Sequence, residues 1–233
     1  MSEYLKWFKN EMKGWTTIVW AMWAFGFGFQ TSILVANPIS WQAVVTYLAT
    51  LVGLLCTCAM AMGKPINGLF GLVSVVGFIV VNLYAKHYWS VLDQLIFAMA
   101  IDIPLMMKWK TWGQNFSAKV RKLGWLEWVF AIMAIIILWV VLRQFAVILG
   151  DTQPVIDSFV LSVGATASVL CLFHYANTYT LWLVEDVFNI LLWFYALKDG
   201  YSPAALPMLV STIMYTATAV YGQWFSVWHK ATR

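Results

Sequence analysis

The sequence predicts an all-α integral membrane protein of about eight transmembrane helices, and three observations carry that prediction. Of 233 residues, 62% are hydrophobic and only 10% are charged, too few charges to cover a water-soluble domain of this size. Apolar runs of roughly 17 to 25 residues recur along the chain, each long enough to cross about 30 Å of hydrocarbon as a helix. Basic residues crowd into one set of loops. The runs are continuous, and backbone polar groups in lipid must be satisfied within the segment, so helices are selected over a barrel.

In chain order, Glu3 to Trp15 mix Lys with Tyr4, Leu5, Trp7, Phe8 and Met12, the pattern of an interfacial amphipathic helix and not of a cleavable signal. Apolar runs follow at 17–35, 41–62, 68–85 and 89–107. Asn67-Gly68, after Lys64 and Pro65, is a turn signal that opens the third of these. The basic stretch 108–124, with Gly and Ser, divides the chain, and further runs lie at 125–149, 154–173, 178–197 and 202–226. This spacing predicts an amphipathic N-terminus and extra transmembrane helix over 1–38 and a three-helix unit over 39–112. A basic loop and linker helix then cover 113–150, and a second three-helix unit 151–233. One intervening helix restores the starting side, so the two units should run parallel.

Orientation follows from the basic residues. With a cytoplasmic N-terminus, the inner side holds Lys6, Lys9, Lys13, Lys64, Lys108, Lys110, Lys119, Arg121, Lys122, Lys230 and Arg233, against Lys86 and Lys198 outside. This bias predicts a multi-pass protein of the cell membrane with both termini cytoplasmic. The net charge of +4 is then a consequence of topology and argues for no nucleic-acid partner. The bilayer is the implied partner, and the sequence is equally compatible with a monomer and a homo-oligomer.

Several residue types receive ordinary readings. Cys56, Cys58 and Cys171 lie in apolar runs and suit packing better than metal binding. His87, His174 and His229 are expected at the membrane interface. Trp7, Trp15, Trp41, Trp89, Trp109, Trp112, Trp125, Trp128, Trp224 and Trp228 fall at predicted helix ends, as in an interfacial aromatic belt. Arg143 comes out near the outer face, where Asp93 or Asp157 would pair with it. No catalytic constellation and no phosphate loop is present, which argues against an enzyme and calls for no cofactor or metal.

The informative stretch is Trp182, Glu185, Asp186 and Asn189, in the middle of an apolar run. A carboxylate at mid-bilayer depth costs about 2.5 to 3.5 kcal/mol on insertion scales, so such residues face a protein interior or a water-filled cavity. Trp182, Asp186, Asn189 and Trp193 are spaced i, i+4, i+7 and i+11 and share one helical face. Indole rings can stack on a planar heterocycle or attract a cationic one, while Asp and Asn read ring substituents or sugar hydroxyls. The bland alternative is apolar packing of the two indoles, with Asp186 paired to a polar neighbour. Glu185 is turned about 100° away, either as a structural acceptor or as a group that exchanges a proton. A weaker counterpart is Gln94, Ala98 and Asp102, with Pro104 loosening the backbone just beyond. Asp102 could equally be an interfacial residue satisfied by the basic loop.

Over most of 41–228 the chain resembles the PnuC family of vitamin transporters, best known for nicotinamide riboside uptake. The resemblance rests on Asn67-Gly-Leu-Phe70-Gly71, then Tyr88 and Gln94, and on Leu181-Trp182 with a polar residue at 186, then Gly200-Tyr201 and an apolar last helix ending in Trp. It implies a SWEET-like 3+1+3 core, here with an additional N-terminal helix, and a central nucleoside-like substrate carried by facilitated diffusion. A cytoplasmic kinase, not necessarily bound, would trap the substrate by phosphorylation. The family's site maps onto Gln94, Trp182 and position 186, where the family pattern has Asn and this chain has Asp186. That departure leaves room for a nucleoside, a deoxynucleoside or thiamine. A structural membrane subunit, its polar face an interhelical seam, is the reading from another class.

Overall fold

The computed structural model describes residues 3–112, 116–200 and 202–232, and these are helical with no strand among them. Tyr201, half of the Gly200-Tyr201 pair, lies outside the described residues. A short helix α1 (Glu3–Glu11) precedes α2 (Thr17–Ala36), α3 (Trp41–Ala61) and α4 (Asn67–Ala85). The next crossing is composite, α5 (Tyr88–Phe97) running through a π-helical turn (Ala98–Asp102) into α6 (Ile103–Met107). After the short α7 (Phe116–Lys119) come α8 (Trp125–Leu149), α9 (Pro154–Leu172), α10 (Thr178–Lys198), α11 (Ala205–Trp224) and a final turn α12 (Val227–Lys230). Among the described residues eight helices are long and apolar enough to cross a membrane, as the sequence predicts.

Local chemistry sets the boundaries. Ser40 caps α3 by accepting from the Ala43 amide at 3.1 Å, and Pro154 opens α9, where a missing N–H costs nothing. Gly150 ends α8 with φ of +73°, a left-handed conformation that favours glycine. The π turn has an identifiable cause. Pro104 cannot donate to the carbonyl four residues earlier, and the Ile103 amide bonds to Ala98, five back.

The helices arrange around a centre formed by α3, α4, α5, α9, α10 and α11. α3 packs on α4 and α11, α9 packs on α5 and α10, and α10 packs on α11. α2 lies against α3 and α11, whereas α8 packs on α9 and presents Phe130, Ile136, Ile137 and Val140 outward. These exposed apolar side chains match a hydrocarbon environment.

The aromatic belt needs correction. Trp41, Trp125 and Trp224 are exposed, but Trp7, Trp15, Trp112 and Trp228 are buried. α1 folds back so that Trp7 meets Trp109 edge-on, ring centroids 5.2 Å apart, and the Trp228 indole donates to the Met60 carbonyl at 2.9 Å. These rings pack one end of the bundle, because the segments that carry them turn over the helix ends. At the same end Lys110 pairs with Glu3 at 2.7 Å; both are exposed, so the pair adds little.

Candidate functional site

A cavity of about 170 Å³ sits between the central helices. α10 contributes Trp182, Glu185, Asp186, Asn189 and Trp193, the face expected from helical phase, together with one residue expected off it. Glu185 lines the cavity as well, meeting Gly164 of α9 and the carboxyl group of Asp93. Asn189 donates through Nδ2 to Glu185 Oε1 at 3.4 Å, the i, i+4 geometry that draws the two onto one wall. Trp193 is buried against the His87 ring, centroids 4.9 Å apart, and Trp182 stands edge-on to Tyr179 at 5.1 Å.

The fourth crossing supplies the adjoining wall through Asp93, Gln94, Phe97 and Asp102. Asp102 is fully buried and is not satisfied by the basic loop. It occupies the space left by Gly71, where an added Cβ would fall on its carboxyl group, and the π turn aims it there. Neither of its carboxyl oxygens has a hydrogen-bond partner among the described residues.

Asp93 was expected to pair with Arg143 and does not. Arg143 is exposed on α8, and no ion pair among the described residues joins it to Asp93 or Asp157. Asp93 instead turns into the cavity beside Glu185. A Cβ built on Gly164 would lie 3.1 Å from the carboxyl carbon of each and in contact with Asp93 Oδ1, so the two carbons are within about 6 Å of each other. Two full charges at that separation repel by about 3 kcal/mol at an effective dielectric of about 20. Asp93 Oδ1 has no hydrogen-bond partner among the described residues. Asp157 has a different task. Its carboxylate accepts from the Ser90 hydroxyl and from the Trp89 amide at 2.8 Å, while Asp151 accepts from the Tyr88 amide at 3.2 Å. Together they cap α5, satisfying free amides and complementing the helix dipole.

His87, between the third and fourth crossings, is fully buried in protein. Burial pushes its imidazole down to about 4, and neither ring nitrogen has a partner among the described residues. His174 is half-buried with φ of +61°; burial first, and Lys119 second, lower its pKa.

The chemistry of the lining is one-sided. Asp93, Asp102, Glu185 and Asp186 face the cavity and, among the described residues, no Lys, Arg or His does. Amide and hydroxyl groups come from Gln94, Asn189, Asn82 and Thr212, and aromatic faces from Phe78, Phe97, Trp182 and Tyr215. Asn82, Thr212 and Tyr215 escaped sequence reasoning, because a lone Asn, Thr or Tyr in an apolar run carries no mark of which way it faces.

An all-helical membrane bundle enclosing a polar, aromatic-walled cavity defines a carrier of a small organic molecule. Comparison with known proteins narrows the class. Residues 43–230 match the family described as "Nicotinamide mononucleotide transporter". A nicotinamide riboside transporter PnuC from Neisseria mucosa is 30% identical over 226 residues, covering 94% of this chain and 84% of that protein. A crystal structure of the vitamin B3 transporter PnuC superposes with a TM-score of 0.80 at 28% identity, covering 97% of each chain. The chain belongs to the PnuC family of membrane transporters.

Proposed function

We propose that the chain takes up a nucleoside-like vitamin, nicotinamide riboside or a related nucleoside, across the cell membrane with both termini cytoplasmic. The single observation that carries this reading is the lining: four carboxyl groups and several aromatic faces, with no basic residue among those described. Nicotinamide riboside is a permanent pyridinium cation with a ribose. Its ring suits the faces of Trp182 and Trp193. The ribose hydroxyls and carboxamide suit Asp186, Asn189 and Gln94, while Asp102 and Glu185 supply negative charge around the cation. The family's two descriptions differ by one phosphate, and a phosphate finds four carboxyl groups and no cationic partner among the described lining residues, which favours the riboside over the mononucleotide. Thiamine, also a permanent cation, is the second reading that the same lining favours; neutral nucleosides and deoxynucleosides use less of it.

Transport is facilitated diffusion. The units 39–112 and 151–233, joined by 113–150 in a SWEET-like plan, rock about the cavity, and phosphorylation by a cytoplasmic kinase retains the product. Thermal-shift and calorimetric titration of the purified protein with nicotinamide riboside, thiamine, uridine, deoxyuridine and nicotinamide mononucleotide tests the substrate. Stabilisation by the riboside and not by the mononucleotide is expected, since specific binding shifts unfolding by mass action. No stabilisation by any of them at millimolar concentration refutes this reading of the substrate. Uptake into vesicles that hold a kinase and ATP, compared with empty ones, tests trapping.

A further inference from the structure

We propose that the Asp93–Glu185 pair is a proton site linked to cation occupancy: at equilibrium, binding of a cation in the cavity displaces one proton from the pair. The inference rests on the reading of the substrate as an organic cation. Three observations carry it. The two carboxyl carbons lie within about 6 Å of each other on either side of Gly164, on α5 and α10. Asp93 lines the cavity at 7% exposure, and its Oδ1, buried against Gly164, has no hydrogen-bond partner among the described residues. No basic side chain among those described lines the cavity, so the charge that balances an empty site is a proton, and the charge that balances an occupied one is the ligand.

The step balances in atoms and charge. One carboxylic O–H bond breaks, the proton leaves to water, and the carboxylate that remains is neutralised by the incoming cation, with no electron transferred. The other titratable groups facing the same space are Cys56 on α3, Asp102 in the π turn, Tyr179 and Asp186 on α10, and Tyr215 on α11. Asp157 on α9 is held apart, bonded to the α5 N-terminus. Asp93 and Glu185 are singled out because their carboxyl groups meet at Gly164. A side chain there would push the two groups apart.

Isothermal titration of the detergent-purified protein with nicotinamide riboside, in buffers of different ionisation enthalpy, reads the proton directly. We expect release of about one proton per cation bound. Apparent affinity should rise by up to tenfold per unit of pH across the range where the pair is protonated. The uncharged dihydro form of the riboside should release none. Glu185→Gln and Asp93→Asn should each abolish release while the cation still binds, more weakly. Binding heat that is the same in all buffers overturns the proposal even if affinity is high. Release of equal size with the dihydro form overturns it too. Absence of any binding heat refutes instead the reading of the substrate. The wild-type titrations stand by themselves if a variant does not fold.

Discussion

Helices α8 and α10 are both membrane spans by the same criterion, yet they do opposite things. α8 has a mean hydropathy of 2.5 and only 11% of its most apolar window is buried, whereas α10 has 1.4 and 28%. α8 rests on α9 with Phe130, Ile137 and Val140 outward; α10 lies between α9 and α11 and turns Trp182, Glu185, Asp186 and Asn189 inward. The difference teaches that in a bilayer a carboxylate dictates its neighbours. Lipid cannot solvate it, so the helix that carries two of them must turn that sector onto protein, and the helix that carries none in its central turns is free to be peripheral.

The largest test exchanges those properties. Ile137→Asp places a carboxylate on the outward face of α8 near its midpoint and should cost about 3 kcal/mol of insertion free energy. An insertion assay should show most of that helix failing to span. Asp186→Leu on α10 should insert as well as the wild type and lose ligand affinity instead. Normal insertion of Ile137→Asp would mean that α8 is covered by protein in the membrane.

An effect of nearly the same size is expected at the end of α10, where Trp193 packs on His87. His87 titrates at about 4 in the folded protein, below the roughly 6.5 of an unfolded chain. Between those values the unfolded state binds the additional proton, so stability is complete above about pH 6.5 and falls as the pH drops toward 4. The loss approaches about 3 kcal/mol. Thermal unfolding from pH 7 to pH 4 should show it, and His87→Gln should flatten that part of the profile.

The eight spans and the α10 face were legible because hydropathy and helical phase are properties of one segment at a time. What escaped needed the neighbours. Glu185 counts as part of the site only because α9 and the Asp93 side chain meet a second sector of α10, and Asp93 or Asp157 was matched to Arg143 because depth along a helix says nothing about azimuth. The burial of Trp7, Trp112 and Trp228 was hidden for a related reason. An aromatic residue at a helix end has the same sequence signature whether its segment turns outward to the interface or folds back over the bundle.

A smaller effect is expected within the cavity itself. Trp182 shares it with Phe97 and Tyr179. A desolvated cation over an indole gains about 2 kcal/mol, so Trp182→Ala should weaken binding of a cationic ligand about 30-fold. Trp182→Phe should recover part of the loss, because Phe keeps a π face of weaker quadrupole. Equal affinity in Trp182→Ala would place the ring of the ligand elsewhere and leave the indole as packing.

The smallest effect belongs to α8 again. Ile137 is 62% exposed, so Ile137→Ala removes methyl groups that touch little protein. In a soluble core such a truncation opens a cavity and costs about 2 to 5 kcal/mol. At a lipid-facing site the acyl chains flow into the space, no void remains, and lipid is as apolar as the side chain it replaces. The change in unfolding free energy should therefore stay within about 0.5 kcal/mol, the range of substitutions that disturb no packed contact. A loss of several times that in lipid nanodiscs would show that a second surface packs on α8, and the contrast between the two helices would then be one of partner and not of solvent.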